Sequence, residues 1–142
     1  MSVSEHTLAK HLAATGLGLF FLNVGIAHFT DPAWFEPIVP PVLGDARFWV
    51  YASGVAEILV GAGLLVPRTR RAAGMATAVT LVLLYWANLH MWVNDVPLDG
   101  RTFATHWHVL RGLAQIAMIA VALWVGHWIP RTSNIDRGQP FP

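Results

Sequence analysis

Long apolar runs alternate with short polar segments along this chain. Four of the runs are long enough to cross a hydrocarbon core about 30 Å thick, which takes about 20 helical residues. Because a backbone inside lipid must satisfy its own hydrogen bonds, each run is predicted to be a helix. The predicted spans are Leu8–Ala27, Trp49–Val66, Ala72–Val93 and Trp107–Trp128. The pattern therefore predicts an all-α, integral membrane four-helix bundle formed by residues 1–128.

Composition agrees with a membrane-embedded chain. Hydrophobic residues make up 55% of the 142 residues and charged residues only 12%, whereas soluble domains carry about 25% charged residues. The net charge of +1 gives no sign of a nucleic-acid partner. The absence of cysteine excludes disulfides and thiolate metal ligands. We therefore expect a lipid bilayer around the chain and no nucleic acid bound to it.

Basic residues predict how the bundle is oriented. Segments that four spans place on one side carry six of them, namely Lys10, Arg68, Arg70, Arg71, Arg131 and Arg137. The opposite side has only Arg47 and Arg101. By the positive-inside rule both termini are cytoplasmic. The first span is longer than the apolar region of a signal peptide, so we expect it to be retained.

The predicted loops on the outer side are residues 28–48 and 94–106. In the first of them, Asp31 followed by Pro32 favours a helix start. Three later prolines then prevent a long helix, namely Pro37, Pro40 and Pro41. The aromatic residues of this loop suggest a segment at the membrane surface, either an ordinary ordered loop or a lid. Residues 129–142 are polar and are predicted to be a flexible cytoplasmic tail.

Strongly polar side chains lie toward the outer half of the predicted spans. Besides Asn23, they are the candidate site residues His28, Glu57, Asn88, His90, His108, Arg111 and Gln115. Such residues in a span usually face the bundle interior. Three interpretations remain open: a structural polar network, a pocket for an amphipathic molecule such as a quinone head group or a lipid, and a metal or haem site. The metal ligands would be His28, His90 and His108, although no metal-binding motif supports them.

Helix periodicity arranges part of this set. His108, Arg111 and Gln115 are spaced i, i+3 and i+7 and share one face, while His106 points nearly the opposite way on a continuous helix. That weakens the interpretation of His106 and His108 as a chelating pair. Glu57 shares its face with two glycines, Gly54 and Gly61, that leave room for a neighbouring helix or a ligand. Because each charge needs a counter-charge in low dielectric, we expect Glu57 and Arg111 to form an ion pair.

The order of these features resembles the DoxX family of small four-helix bacterial membrane proteins. The resemblance covers about residues 10–128. Its first part comprises Gly25-Ile26-Ala27-His28-Phe29, Asp31-Pro32 and Pro40-Pro41. The most specific part runs from Ser53-Gly54-Val55-Ala56-Glu57-Ile58-Leu59-Val60-Gly61 into Gly63-Leu64-Leu65-Val66-Pro67-Arg68-Thr69-Arg70-Arg71. The pattern is completed by Asn88, Leu110-Arg111 and Gln115.

This chain departs from the DoxX pattern in the fourth span. Relatives typically have Leu-Pro-Leu between the arginine and the glutamine, where this chain has Gly112-Leu113-Ala114. The proline kink is therefore absent, which puts the family's local geometry in doubt. His106 and His108 lie outside the family pattern.

The resemblance implies a role in a redox complex of the bacterial inner membrane, because the family is similar to a membrane subunit of thiosulfate:quinone oxidoreductase. We therefore expect a subunit of a quinone-linked complex that is accessory rather than an enzyme alone, with a protein partner or a homo-oligomer. A quinone is the candidate cofactor, and haem or a metal ion is disfavoured. The alternatives are a membrane anchor or assembly subunit that docks another enzyme, and a binder or carrier of a small lipophilic molecule.

Overall fold

The structure, a computed structural model, describes residues 3–128, with side chains described from Glu5 onward. Within this range the chain forms five α-helices and, apart from a single isolated bridge between Leu98 and Arg101, no extended pairing. Four of the helices are long and apolar enough to span a membrane. The predicted all-α, multi-pass fold is confirmed. The predicted tail, 129–142, lies outside the described residues.

The helices follow the predicted spans, with different ends. They are α1 (Val3–Thr30), α2 (Pro32–Phe35), α3 (Ala46–Leu65), α4 (Arg70–Val93) and α5 (Thr105–Val125). The helix α3 begins earlier than predicted because the Asp45 side chain accepts hydrogen bonds from two backbone amides of its first turn. The helix α5 ends earlier because His127 adopts a left-handed conformation with φ of 61°, which closes a helix.

The segment between α1 and α3 contains only short helical turns, as its prolines predict. Pro32 is the first residue of α2, although the Asp31 side chain makes no capping hydrogen bond. Two 3-10 turns follow, Glu36–Ile38 and Pro41–Leu43. The segment is fastened to α3 by an ion pair in which Arg47 Nε lies 2.6 Å from Glu36 Oε1.

The helices pack in a closed cycle. The helix α1 lies mainly on α3, and α4 lies mainly on α5, while α3 contacts α4 and α1 contacts α5. Lys10 Nζ lies 3.2 Å from His127 Nδ1, so the start of α1 and the end of α5 share one end of the bundle. We call this end, which also carries residues 66–69, the turn end. The opposite end, with residues 31–45 and 94–104, is the loop end.

The apolar core lies in the part of the bundle toward the turn end. It is built from Ala14, Leu17, Phe21, Val60, Leu64, Ala73, Leu81, Ala122 and Val125. Large apolar side chains also cover the outside of the bundle, among them Leu12, Leu59, Leu83 and Ile116. An apolar exterior is what hydrocarbon chains would contact. The buried core therefore lies mainly nearer the turn end than the polar set of the sequence, and the two meet where Gln115 contacts Leu81.

The backbones of α1 and α3 touch at glycines. A Cβ added to Gly61 would lie 2.8 Å from the carbonyl oxygen of Gly18, and one added to Gly54 would lie 3.0 Å from that of Gly25. Small residues permit this close approach of membrane helices. The room predicted beside Gly54 and Gly61 is filled by a neighbouring helix, α1.

Candidate functional site

A carboxylate and an imidazole meet where α1 and α3 are closest. Glu57 lies near the middle of α3, about 17 Å along the axis from Ala46 at 1.5 Å per residue, and is 5% exposed. His28 lies in the last turn of α1 and is 7% exposed. Glu57 Oε2 lies 3.2 Å from His28 Nδ1. Glu57 therefore contacts the last turn of α1, near the loop end of the bundle.

The hydrogen bonds of this pair are incomplete. His28 Nδ1 lies 2.8 Å from the carbonyl oxygen of Val24, one turn earlier in α1. That carbonyl is an acceptor, so Nδ1 donates to it, and Glu57 Oε2 has no hydrogen-bond partner. A buried polar atom without a partner is costly, about 1–3 kcal/mol. The pair therefore presents one open acceptor inside the membrane.

An aromatic ring covers the imidazole from the loop end. The Phe35 ring stacks on the His28 ring, with centroids 3.9 Å apart and planes 19° apart. The segment that carries Phe35 is fastened twice, by the ion pair of Arg47 and by His90, whose Nδ1 lies 3.2 Å from the carbonyl oxygen of Ile38. His90, which the sequence assigned to the polar set, therefore holds the loop rather than contacting Glu57.

Gln115 and Asn88 form a second, separate polar contact between α4 and α5. Asn88 Nδ2 donates to Gln115 Oε1 at 3.2 Å. Gln115 Nε2 donates in turn to the carbonyl oxygen of Leu81. Both ends of the Gln115 amide are used, and its side chain is buried. This contact fits the structural interpretation of the polar residues, as an interhelical link.

Arg111 does not pair with Glu57, so the predicted ion pair is wrong. Its Nη1 donates to Met91 Sδ at 3.2 Å, and its Cζ lies 4.8 Å from the centroid of the Phe103 ring. Arg111 belongs to α5, which packs on α4, whereas Glu57 faces α1. Helix periodicity fixes the face of a residue but not the neighbouring helix, and that is why the pairing was mispredicted.

His108 is buried beside Arg111 and His106 is not. The His108 ring stacks parallel to the Trp92 ring at 5.7 Å, and its Nε2 lies 3.2 Å from the carbonyl oxygen of Phe103. Its Nδ1 is buried without a partner. His106 is exposed on the other side of α5, as the helical spacing predicts.

The three histidines considered as metal ligands are not brought together. Each of them, His28, His90 and His108, contacts a different backbone carbonyl. In residues 5–128, no three histidine, aspartate or glutamate side chains form a group that could hold a metal ion. The seven polar residues thus make their hydrogen bonds and close contacts in separate clusters.

Several partners in these clusters were missed by the sequence analysis. Phe35, Met91 and Phe103 contact the polar side chains but look like ordinary apolar residues in the pattern. Arg70 was assigned to a loop, yet it is buried, and it donates from Nε to the carbonyl oxygen of Leu64 and contacts His11. The signal for Arg70 was its place at the start of a helix, two residues before the predicted span.

The comparisons with known proteins give a family but no function. No curated protein and no solved structure matches the chain. Residues 17–126 match the family described as "Domain of unknown function (DUF8561)". The matched range includes the clusters around Glu57, Gln115 and Arg111, so they lie within the family's own domain. The chain therefore belongs to the DUF8561 family.

Proposed function

We propose that the protein is a DoxX-like membrane subunit of a quinone-linked redox complex, and that it holds a quinol head group at Glu57. The observation that carries this proposal is the buried Glu57 Oε2, which has no hydrogen-bond partner beside His28. Ionisable groups inside membrane spans are usually retained for ligand, ion or proton binding. An open acceptor in that position suits a hydroxyl donor.

The chemistry of a quinol fits this acceptor. A quinol hydroxyl would donate a hydrogen bond to Oε2, and the exposed apolar side chains of α1 and α3, such as Ile26 and Leu59, offer a surface for its tail. Bound quinol supplies two electrons and two protons when it is oxidised. Glu57 would take one of the protons, the second would be released to water at the loop end, and the two electrons would pass to a cofactor of the partner enzyme. Phe35 would keep water from the head group.

A docking role is the second candidate function. The 3-10 turn Pro41–Leu43 places Val42 at the loop end with 82% of its surface exposed, next to exposed Leu43. The segment is held by the Glu36–Arg47 ion pair, so it presents a fixed apolar surface to a partner enzyme. In that case the protein would anchor or assemble a complex without binding a quinone. A carrier of a small lipophilic molecule would also use Glu57, but it would need no partner.

We further propose that the loop end faces the periplasm of a bacterial inner membrane, because the basic residues favour a cytoplasmic turn end. The chain has no cysteine of its own, so single cysteines report topology cleanly. A membrane-impermeant maleimide added to intact spheroplasts should label Asp99→Cys and not Arg68→Cys. The reverse labelling would contradict this orientation.

The quinol proposal is tested by the quinone content of the purified protein. The full chain is purified in mild detergent from quinone-replete cells, and extracted quinone is measured by mass spectrometry per protein. The wild type should carry near-stoichiometric quinone, and Glu57→Gln should lower this about ten-fold, because a charge-assisted hydrogen bond is lost.

The matched control for this experiment is Asp95→Asn, which removes an exposed carboxylate at the loop end, in the segment after α4 and away from Phe35 and Glu57. It should leave the quinone content unchanged. A wild type without quinone that co-purifies with a protein partner would favour docking, and equal quinone content in wild type and Glu57→Gln would contradict the proposal.

A further inference from the structure

Arg111 has no acidic counter-charge in the described part of the chain. Its guanidinium contacts are the Met91 sulfur and the face of the Phe103 ring, which are both weak acceptors. No carboxylate of residues 5–128 lies within 4.0 Å of it. A cation inside a membrane span ordinarily pairs with an anion or a strong acceptor. Arg111 therefore lacks a partner that its surroundings require.

His108 gives an independent sign of a missing ligand at the same place. It lies one turn before Arg111 on the same face of α5, and both side chains contact the Phe103 ring. His108 is 5% exposed, and its Nδ1 has no hydrogen-bond partner. Since Nε2 donates to the carbonyl oxygen of Phe103, Nδ1 is left as an acceptor. The neighbourhood of Phe103 thus offers one cationic donor and one neutral acceptor.

We propose that Arg111 and His108 bind the head group of an anionic phospholipid at the loop end of α4 and α5. The guanidinium would donate to the phosphate, as planar arginine donors commonly do. A head-group hydroxyl, such as the glycerol hydroxyl of phosphatidylglycerol, would donate to His108 Nδ1. This head group supplies both an anion for Arg111 and a hydroxyl donor for His108.

The surroundings of Arg111 favour a lipid over a soluble anion. Arg111 is half-buried and lies about 9 Å along the axis from Thr105, the first residue of α5. Trp107 and Leu110, beside it in α5, expose about half of their surface to what would be lipid. Tryptophan is typical of the membrane interface, where phosphates lie. A lipid phosphate at that level reaches the guanidinium without crossing the hydrocarbon.

This site is distinct from the one at Glu57. It is formed by α4 and α5 and the residues before α5, whereas Glu57 and His28 belong to α3 and α1. The next polar side chain along this face of α5, Gln115, is occupied by Asn88 and Leu81. Loss of quinone binding would therefore leave lipid binding intact, and loss of lipid binding would leave quinone binding intact.

The test is the unfolding temperature of the full purified chain, titrated with short-chain phosphatidylglycerol, phosphatidylcholine or inorganic phosphate. A ligand that binds the folded state alone raises this temperature with its concentration. Phosphatidylglycerol should raise it saturably, and the other two should not. Arg111→Gln should weaken the apparent phosphatidylglycerol affinity about ten-fold, whereas Arg47→Gln, which removes an arginine that has its own carboxylate, should not change it.

A second variant keeps the proposal testable if Arg111→Gln does not fold. His108→Phe retains a ring to pack on Trp92 and removes the acceptor, and it should lower the phosphatidylglycerol affinity several-fold. Equal stabilisation by phosphatidylcholine, or an unchanged affinity in either variant, would overturn the proposal. Equal stabilisation by inorganic phosphate would identify a free anion as the ligand and overturn the assignment to a lipid.

Discussion

The two closest helix pairs of this protein use polar residues in opposite ways. Between α4 and α5, the Gln115 amide is bonded at both ends, to Asn88 and to the backbone of Leu81. Between α1 and α3, the backbones touch at glycines, and Glu57 keeps an oxygen that no group bonds. Where glycine contacts already hold two helices together, a polar side chain need not link them. The comparison separates polar residues that hold the bundle from those that are open to a ligand.

The largest effect on stability should come from the glycine contact. A Cβ at Gly61 would meet the Gly18 carbonyl oxygen and the Leu22 amide nitrogen, at 2.8 and 2.9 Å, and neither backbone atom can turn away. Gly61→Ala should therefore lower the free energy of unfolding by about 2 kcal/mol, as overpacking does. Denaturant unfolding of the protein in detergent micelles measures this free energy.

The control for this prediction is Gly16→Ala in α1, where an added Cβ would have no neighbour within 4 Å. It should be neutral or slightly stabilising, because alanine favours a helix over glycine. Equal destabilisation by the two variants would mean that the close contact of α1 and α3 does not hold the bundle.

A smaller effect is expected at the polar link. Gln115→Leu should lower the free energy of unfolding by about 1 kcal/mol, in the range of interhelical hydrogen bonds in membranes. Combined with Asn88→Leu, it should cost less than the sum of the two single changes, because the variants remove a shared bond. Quinone content should stay at the wild-type level. A loss of quinone in Gln115→Leu would mean that both helix pairs contribute to one quinone site, which would contradict the comparison.

A still smaller loss of stability than that of Gln115→Leu is expected for Glu57→Gln. Oε2 has no hydrogen bond to lose, and the amide has nearly the volume of the carboxylate. Unfolding of this variant under the same conditions should therefore change less than that of Gln115→Leu. A larger loss of stability for Glu57→Gln would show that Glu57 holds the bundle, and the contrast between the helix pairs would fail.

The fold was largely predictable from the sequence, because length and hydropathy determine a membrane-spanning helix. The errors lie at the ends, where local chemistry decides. Asp45 caps α3 and extends it beyond the apolar run, and the left-handed His127 stops α5 within that run. Arg70 was treated as part of a basic turn, although it is buried against the carbonyl oxygen of Leu64.

It was easier to predict which residues belong to the polar set than to predict which residues they contact. His108, Arg111 and Gln115 do lie along one side of α5, but they contact different partners, and Glu57 contacts His28. Periodicity orients a residue on its own helix and says nothing about which helix packs there. The glycines beside Glu57 held that information, because their face is the one that α1 covers.

The most direct test of the account follows the Glu57 carboxyl group itself during quinol binding. Infrared difference spectra of the reconstituted full chain, with and without quinol, report carboxyl bands that change on binding. The account predicts a carboxyl band that shifts on addition of quinol, that is absent in Glu57→Gln and that is retained in Gln115→Leu. Two results would contradict the assignment of Glu57 as the ligand-binding residue. One is that quinol binds to Glu57→Gln and the same carboxyl band changes. The other is that no carboxyl band changes in the wild type.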